Sequence, residues 1–176
     1  IITAERNTEK VPGFDKGNSP FEFMDSQLKN QPVAMTTTNG TKAIIAASAY
    51  RELLIGGFIN FQALSDYLLQ QHNNITLLCS GWKLRVNIED NLFAGKIADF
   101  LMHHGDYRPG SEGATMAHTL YLQSKEDLYG SVLRHSPRLA AKEHLLGKDI
   151  DYCLQEQHIK AIPRYAEGRI VDAAAG

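Results

Sequence analysis

The chain predicts an α/β fold, a three-layer α/β/α arrangement with a mostly parallel or mixed sheet, on three observations. Apolar runs rich in β-formers alternate with helical periodicity over 33–45, 52–68 and 75–101. Each run ends in a polar or glycine turn that leads directly into the helix. Strand-to-helix units in succession imply right-handed crossovers and a sheet covered on both faces. Ligands in such sheets sit at the carboxyl ends of the strands, so the polar turns are expected along one edge.

The elements follow in order. Residues 1–20 run from a short apolar start through Glu5-Arg6-Asn7 into Val11-Pro12-Gly13-Phe14-Asp15-Lys16-Gly17-Asn18-Ser19-Pro20, a long loop dense in turn formers. Ser19-Pro20 with Glu22 opens one short helix over 21–28, because proline suits the first helical position. Val33-Ala34-Met35 reads as a strand, Thr36-Thr37-Thr38-Asn39-Gly40-Thr41 as a tight turn, and Lys42-Ala43-Ile44-Ile45 as the start of a helix. Leu53-Leu54-Ile55 ends at Gly56-Gly57, and Asn60 precedes an amphipathic helix with Phe61, Leu64, Tyr67 and Leu68 on one face. Ile75-Thr76-Leu77-Leu78-Cys79 is a third strand of buried type, followed by Ser80-Gly81-Trp82 and a brief extended piece at 86–88. Glu89-Asp90 heads a helix with Leu92, Phe93, Ile97, Phe100 and Leu101 at helical spacing, closing at Gly105. From Gly113 the chain is mainly helical: 114–123, 126–134, a helix from Ser136-Pro137 towards Gly147, and another capped by Asp149. A last strand over 158–163, with Ile170-Val171 as its partner, precedes a frayed tail.

A chain of 176 residues fits a single domain with a real core. Its formal net charge of −2 excludes broad nucleic-acid or acidic-membrane binding, which need a basic surface. No apolar run has the length of a membrane span, and no signal-peptide pattern opens the chain. Two cysteines, Cys79 and Cys153, are too few for a disulfide framework and suggest a cytoplasmic setting. The sequence begins Ile1-Ile2-Thr3 without a Met, in what reads as the end of a strand, as expected of a fragment or processed piece.

Three stretches offer chemistry. The turn at 37–41 supplies hydroxyl and amide groups at a helix N-terminus, where unpaired N–H groups and the helix dipole attract anions; by spacing alone it is also an ordinary helix cap. Glu89-Asp90 suits a divalent cation such as Mg²⁺, which takes one or two carboxylates plus phosphate oxygens; acidic residues also simply favour a helix start. Taken together, an anion cradle facing a carboxylate pair reads as metal-assisted chemistry on a phosphate. The third is Cys79-Ser80-Gly81-Trp82-Lys83-Leu84-Arg85, a C-x5-R spacing after a strand, as cysteine phosphatases use; a buried strand cysteine is the plainer reading. The histidines show no regular metal spacing and read mostly as surface or capping residues. Walker-type, G-x-G-x-x-G and G-x-S-x-G motifs are absent.

With Glu5-Arg6-Asn7, the 13–20 loop, Thr36-Thr37-Thr38-Asn39-Gly40-Thr41, Gly57-Phe58-Ile59-Asn60 and Glu89-Asp90 through Ala94-Gly95 in this order, the chain resembles the 2-phosphosulfolactate phosphatase family. The resemblance covers nearly the whole chain, strongly to about Gly105. It implies a Mg²⁺-dependent phosphatase that converts 2-phosphosulfolactate to sulfolactate and phosphate, on the path to coenzyme M. It also implies that this chain is the larger, C-terminal part of a longer family chain, preceded there by a strand and helix with an Asp-containing motif. Carried over by position, it puts the substrate phosphate on Thr37, Thr38, Asn39, Gly40 and Thr41, with Asn18 and Asn60 as polar contacts. Arg6 becomes the cation for the sulfonate or carboxylate, guanidinium being suited to planar anions. Glu89 and Asp90 would hold Mg²⁺, with Glu5 and Asp15 as lesser ligands, and Asp90, Glu89 and Arg6 form the catalytic set. The expected partner is a small phosphorylated sulfonate or carboxylate, without nucleic acid or membrane; homo-oligomerisation stays open. Two alternatives stand beside this reading: a cysteine-dependent phosphatase using Cys79 and Arg85, and an inactive homologue that binds small anions.

Overall fold

The computed structural model describes residues 1–6 and 9–173, the side chains of Arg6 and Glu9 excepted. The fold is α/β. β1 (Ile2–Arg6) is the middle strand of a mixed three-stranded sheet. β2 (Glu9–Lys10) lies antiparallel to it, and β3 (Ala34–Thr36) parallel, with Ile2 opposite Ala34 and Ala4 opposite Thr36. A parallel pair needs a long connection. Here it carries two 3-10 turns, Pro20–Phe23 and Ser26–Leu28, in place of the one helix expected over 21–28. The break comes at Asp25, whose carboxylate accepts from the Gln27 N–H and so offers the backbone an alternative to a continuing helix.

Two of the expected strands do not join this sheet. Leu54 bridges Arg164, and the Ile55 N–H donates to the Pro163 carbonyl at 2.8 Å, so 53–55 leans on the C-terminal hairpin. Residues 75–79 run without a ladder. Their apolar character reflects one-sided packing, not pairing: Ile75 lies against the core while Leu77 and Leu78 are exposed. The hairpin itself, β4 (Pro163–Ala166) with β5 (Arg169–Asp172), falls beyond the expected strand at 158–163. Glu167 and Gly168 both hold positive φ, the two-residue turn that sets this register.

Helices make up most of the rest: α1 (Gly40–Ala47), α2 (Phe61–Gln71), α3 (Ile88–His104), α4 (Glu112–Ser124), α5 (Leu128–His135), α6 (Pro137–Ala140) and α7 (Glu143–Leu154). Side chains of Asn87, Ser111, Asp127 and Ser136 cap α3 to α6, each cap contributing about 1 kcal/mol. The chain breaks at Lys142, not Gly147, and α7 runs through Gly147 to Leu154 with Asp149 inside it. Gly147 answers a close approach: a Cβ there would stand 3.1 Å from the Tyr129 hydroxyl.

The long helix α3 is the spine of the core. Its Leu92 packs with Phe58, Val132 and Leu139, and its Ile97 and Leu101 with Phe61, Leu64 and Ile162. Leu92, Ile97 and Val132 are completely buried, worth about 1.5–3 kcal/mol each. Gly95 lets α4 come in close, since a Cβ there would stand 2.1 Å from the Ala117 carbonyl oxygen. The N-terminus of this helix therefore has a fixed position from which Glu89 and Asp90 project. Among the described residues, no helix is long and apolar enough to cross a membrane.

Candidate functional site

The turn between β3 and α1 is knitted by its own threonines. The Thr41 N–H donates to Thr37 Oγ1 at 3.2 Å, and Thr41 Oγ1 donates to the Thr37 carbonyl at 2.9 Å. Asn39 occupies the N-cap position, yet its side chain caps nothing in α1. Its Oδ1 instead accepts from the Lys83 N–H at 3.0 Å. An ordinary capping Asn would bond the second or third N–H of its own helix. Here that work falls to Thr37, and Asn39 reaches across to another loop. All five residues of 37–41 are half-buried.

That other loop, 80–86, is held at both ends. At its root Ser80 Oγ and the Gly81 N–H donate to Asp90 Oδ2, at 3.0 and 2.8 Å. At its tip Trp82 and Arg85 exchange backbone hydrogen bonds of 2.9 and 3.0 Å around Lys83 and Leu84. Both tip residues have positive φ, 51° and 61°, which costs each about 1–3 kcal/mol. Gly81 is required: its φ is +68°, and a Cβ would lie 2.5 Å from the Arg85 carbonyl. One carboxylate on α3 thus fixes the loop's root, and one amide before α1 fixes its tip.

Glu89 completes the group. Its Oε1 accepts from Arg138 at 2.5 Å, while its Oε2 is buried without a partner among the described residues. The Arg138 guanidinium lies 5.3 Å from the centre of the Trp82 ring, and the Lys83 ammonium 4.8 Å from it. Glu89 and Asp90 fit a hard divalent cation. One Glu89 oxygen has no hydrogen-bond partner among the described residues, and Mg²⁺ takes one or two carboxylates with water or substrate oxygens filling the rest. Among the described residues no three His, Cys, Asp or Glu side chains cluster as metal ligands, so those other oxygens would have to complete the shell.

The structure therefore ties the 37–41 turn to the tip of the 80–86 loop, and Asp90, beside Glu89, to its root. Other expected residues lie elsewhere. Asn60 is buried, with Oδ1 accepting from the Gly57 N–H at 2.9 Å and Nδ2 donating to the Ile55 and Ala161 carbonyls at 3.3 and 3.2 Å, so it ties main chain to main chain. Asn18 is exposed on its loop, which Ser19 fastens to Asp149 of α7 at 2.9 Å. Asp15 accepts from the Ile2 N–H at 2.8 Å, and Glu5 sits opposite Lys10, both on the side of the small sheet. Arg6 ends β1, and its side chain lies outside the described residues, as does Asn7. Arg138 was not foreseen. It follows a helix-opening proline, and no spacing in the chain links it to Glu89.

The cysteine alternative fails on the same geometry. Burial, with the charge of Asp90 adding, pushes the Cys79 thiol up to about 11, whereas a nucleophile needs its thiolate near neutrality. Arg85, which should face the phosphate, is exposed in a turn closed by its backbone bonds to Trp82.

Comparison with known proteins meets this geometry directly. The family model described as 2-phosphosulpholactate phosphatase matches residues 1–168. The chain belongs to the 2-phosphosulpholactate phosphatase family. Among its relatives, a protein of Clostridium acetobutylicum named "Probable 2-phosphosulfolactate phosphatase" is 32% identical over 173 residues, 97% of this chain and 72% of that protein. Proteins with the same name from Clostridium novyi and Thermotoga petrophila are each 32% identical, over 165 and 170 residues. They cover 94% and 96% of this chain, which spans 69% and 71% of their lengths. The family match takes in every segment of the site, from the threonine turn to Arg138.

Proposed function

We propose that this chain is a phosphoric monoester hydrolase that converts 2-phosphosulfolactate, or a closely similar small anionic phosphoester, to sulfolactate and phosphate. The single observation that supports it best is the misplaced cap: Asn39 leaves its own helix to bond Lys83, tying the 37–41 turn to the tip of the 80–86 loop whose root rests on Asp90. In this reading the phosphate rests on residues 37–41, where hydroxyls, the Asn39 amide and main-chain N–H groups converge at the start of α1. Lys83 and Arg138 add positive charge at the rim, and Arg6 takes the sulfonate or carboxylate. Asn18 and Asn60 serve as flanking polar residues, Asn60 by holding its segment in place. Glu89 and Asp90 would hold Mg²⁺, without Glu5 and Asp15, which lie by the small sheet. When bound, the ion would polarise a phosphoryl oxygen and offset the charge that develops as water attacks. One Asp90 oxygen accepts from Ser80 and Gly81, which registers the loop on α3.

Phosphate release from 2-phosphosulfolactate tests this directly. Chelation should abolish it, Mg²⁺ should restore it, and Cys79→Ser should retain it. Release that survives chelation and is lost in Cys79→Ser would revive the cysteine mechanism. Binding without turnover at saturating Mg²⁺ would make the chain an anion-binding homologue.

A further inference from the structure

The far end of α3 carries a second concentration of chemistry that the phosphatase reading does not use. A cleft of about 500 Å³ runs between α3 and α4, within the range of small-molecule sites. By the helical rise, Lys96 lies about 9 Å along α3 from Asp90 and His104 about 21 Å. The cleft is therefore a separate place.

One wall is aromatic and rigid. The Phe100 and His104 rings stack at 4.3 Å and 13°, and Phe61 meets Phe100 edge-on at 5.5 Å. Tyr121 is buried beside them. The Lys96 side chain is only 13% exposed, its ammonium 4.2 Å from the Phe61 ring centre and 5.5 Å from that of Tyr121. An ammonium has three N–H donors. Glu156 at 2.7 Å and the Tyr121 hydroxyl at 3.4 Å occupy two, leaving one without a partner among the described residues. Of the lining residues Asp99 alone is acidic, and it is engaged by His118 at 2.8 Å with His103 at 3.4 Å. Lys125 adds a second cation to the lining.

We propose that this cleft binds a small planar organic anion, an aromatic carboxylate in chemical class, with its ring on the Phe100, His104 and Tyr121 surfaces and its charge met by Lys96 and Lys125. The sign follows from Lys125 and from the Lys96 donor that Glu156 and Tyr121 leave over, with Asp99 already engaged by His118. Planarity follows from the stacked wall, since flat rings gain from offset stacking that an aliphatic chain does not. A bare inorganic anion would leave the aromatic wall without a partner, and a neutral ring would leave the third Lys96 donor unmet.

Isothermal titration of the full chain with phthalate, benzoate and the neutral isostere benzamide tests the proposal. Phthalate should bind at one site with a Kd of about 1 mM or tighter, and benzamide at least about tenfold more weakly. Lys96→Met and, separately, His104→Ala should each weaken phthalate at least about fivefold with unchanged thermal unfolding and phosphate release. Saturating inorganic phosphate should not displace it. Absence of binding, benzamide binding as well as benzoate, wild-type affinity in both variants, or displacement by phosphate would each overturn the proposal.

Discussion

The α3/α4 seam and the 80–86 loop rest on the same helix and are held by opposite means. The seam is close packing: Gly95 against the Ala117 carbonyl, and Leu92 and Ile97 with no exposure at all. The loop has little to bury, with Leu84 and Val86 almost fully exposed, and is fixed by polar ties from Asn39 and Asp90 while its tip backbone stays strained. Packing of the first kind explains stability. A strained loop pinned by distant side chains explains nothing about stability, and such strain gathers at functional sites.

The contrast can be broken at either end. The largest effect belongs to the seam: Gly95→Val should cost about 3 kcal/mol or more, read as a fall in the denaturant midpoint, because the Ala117 carbonyl cannot retreat without moving α4. Ile97→Ala should cost about 2–5 kcal/mol and leave phosphate release per folded molecule unchanged. At the loop end the ranking reverses. Arg138→Ala strips the ion-pair partner from a half-buried Glu89 and should lower phosphate release about 10- to 100-fold while stability falls by about 1–3 kcal/mol. Release at the wild-type rate would remove Arg138 from the site.

The smallest effect is at Cys79. With its thiol pushed up to about 11 by burial, alkylation of the native protein should stay slow at pH 8 and quicken only towards that value. The folded state holds the proton more tightly than the unfolded chain, whose thiol titrates near 9.0. This contribution to stability is therefore complete below pH 9 and is lost as pH rises through about 11. An alkylation rate that levels off near pH 7 would contradict the assignment.

Much of this was legible in the residues. Helical spacing marked α2 and α3, Gly105 closed α3, and the Thr/Asn/Gly turn and Glu89-Asp90 stood out by composition. The runs at 53–55 and 75–79 misled, because a short apolar run records burial on one side and not what its backbone pairs with. Asp25 split one expected helix, and the break at Lys142 moved another, through local competition that propensity does not resolve. Arg138 was invisible for a different reason. Its partner is set by how α6 docks against α3, a tertiary fact with no local trace. Asn39 was legible as a residue of interest, but its direction was not: spacing pointed it at its own helix, and the structure turns it to Lys83.

That direction is the central claim, and Asn39→Ala tests it. The account predicts phosphate release lowered at least about tenfold, with stability changed by less than about 1 kcal/mol, measured on the same preparation by turnover and by denaturant unfolding. Full activity with a loss of about 1 kcal/mol, the behaviour of a plain helix cap, would contradict it.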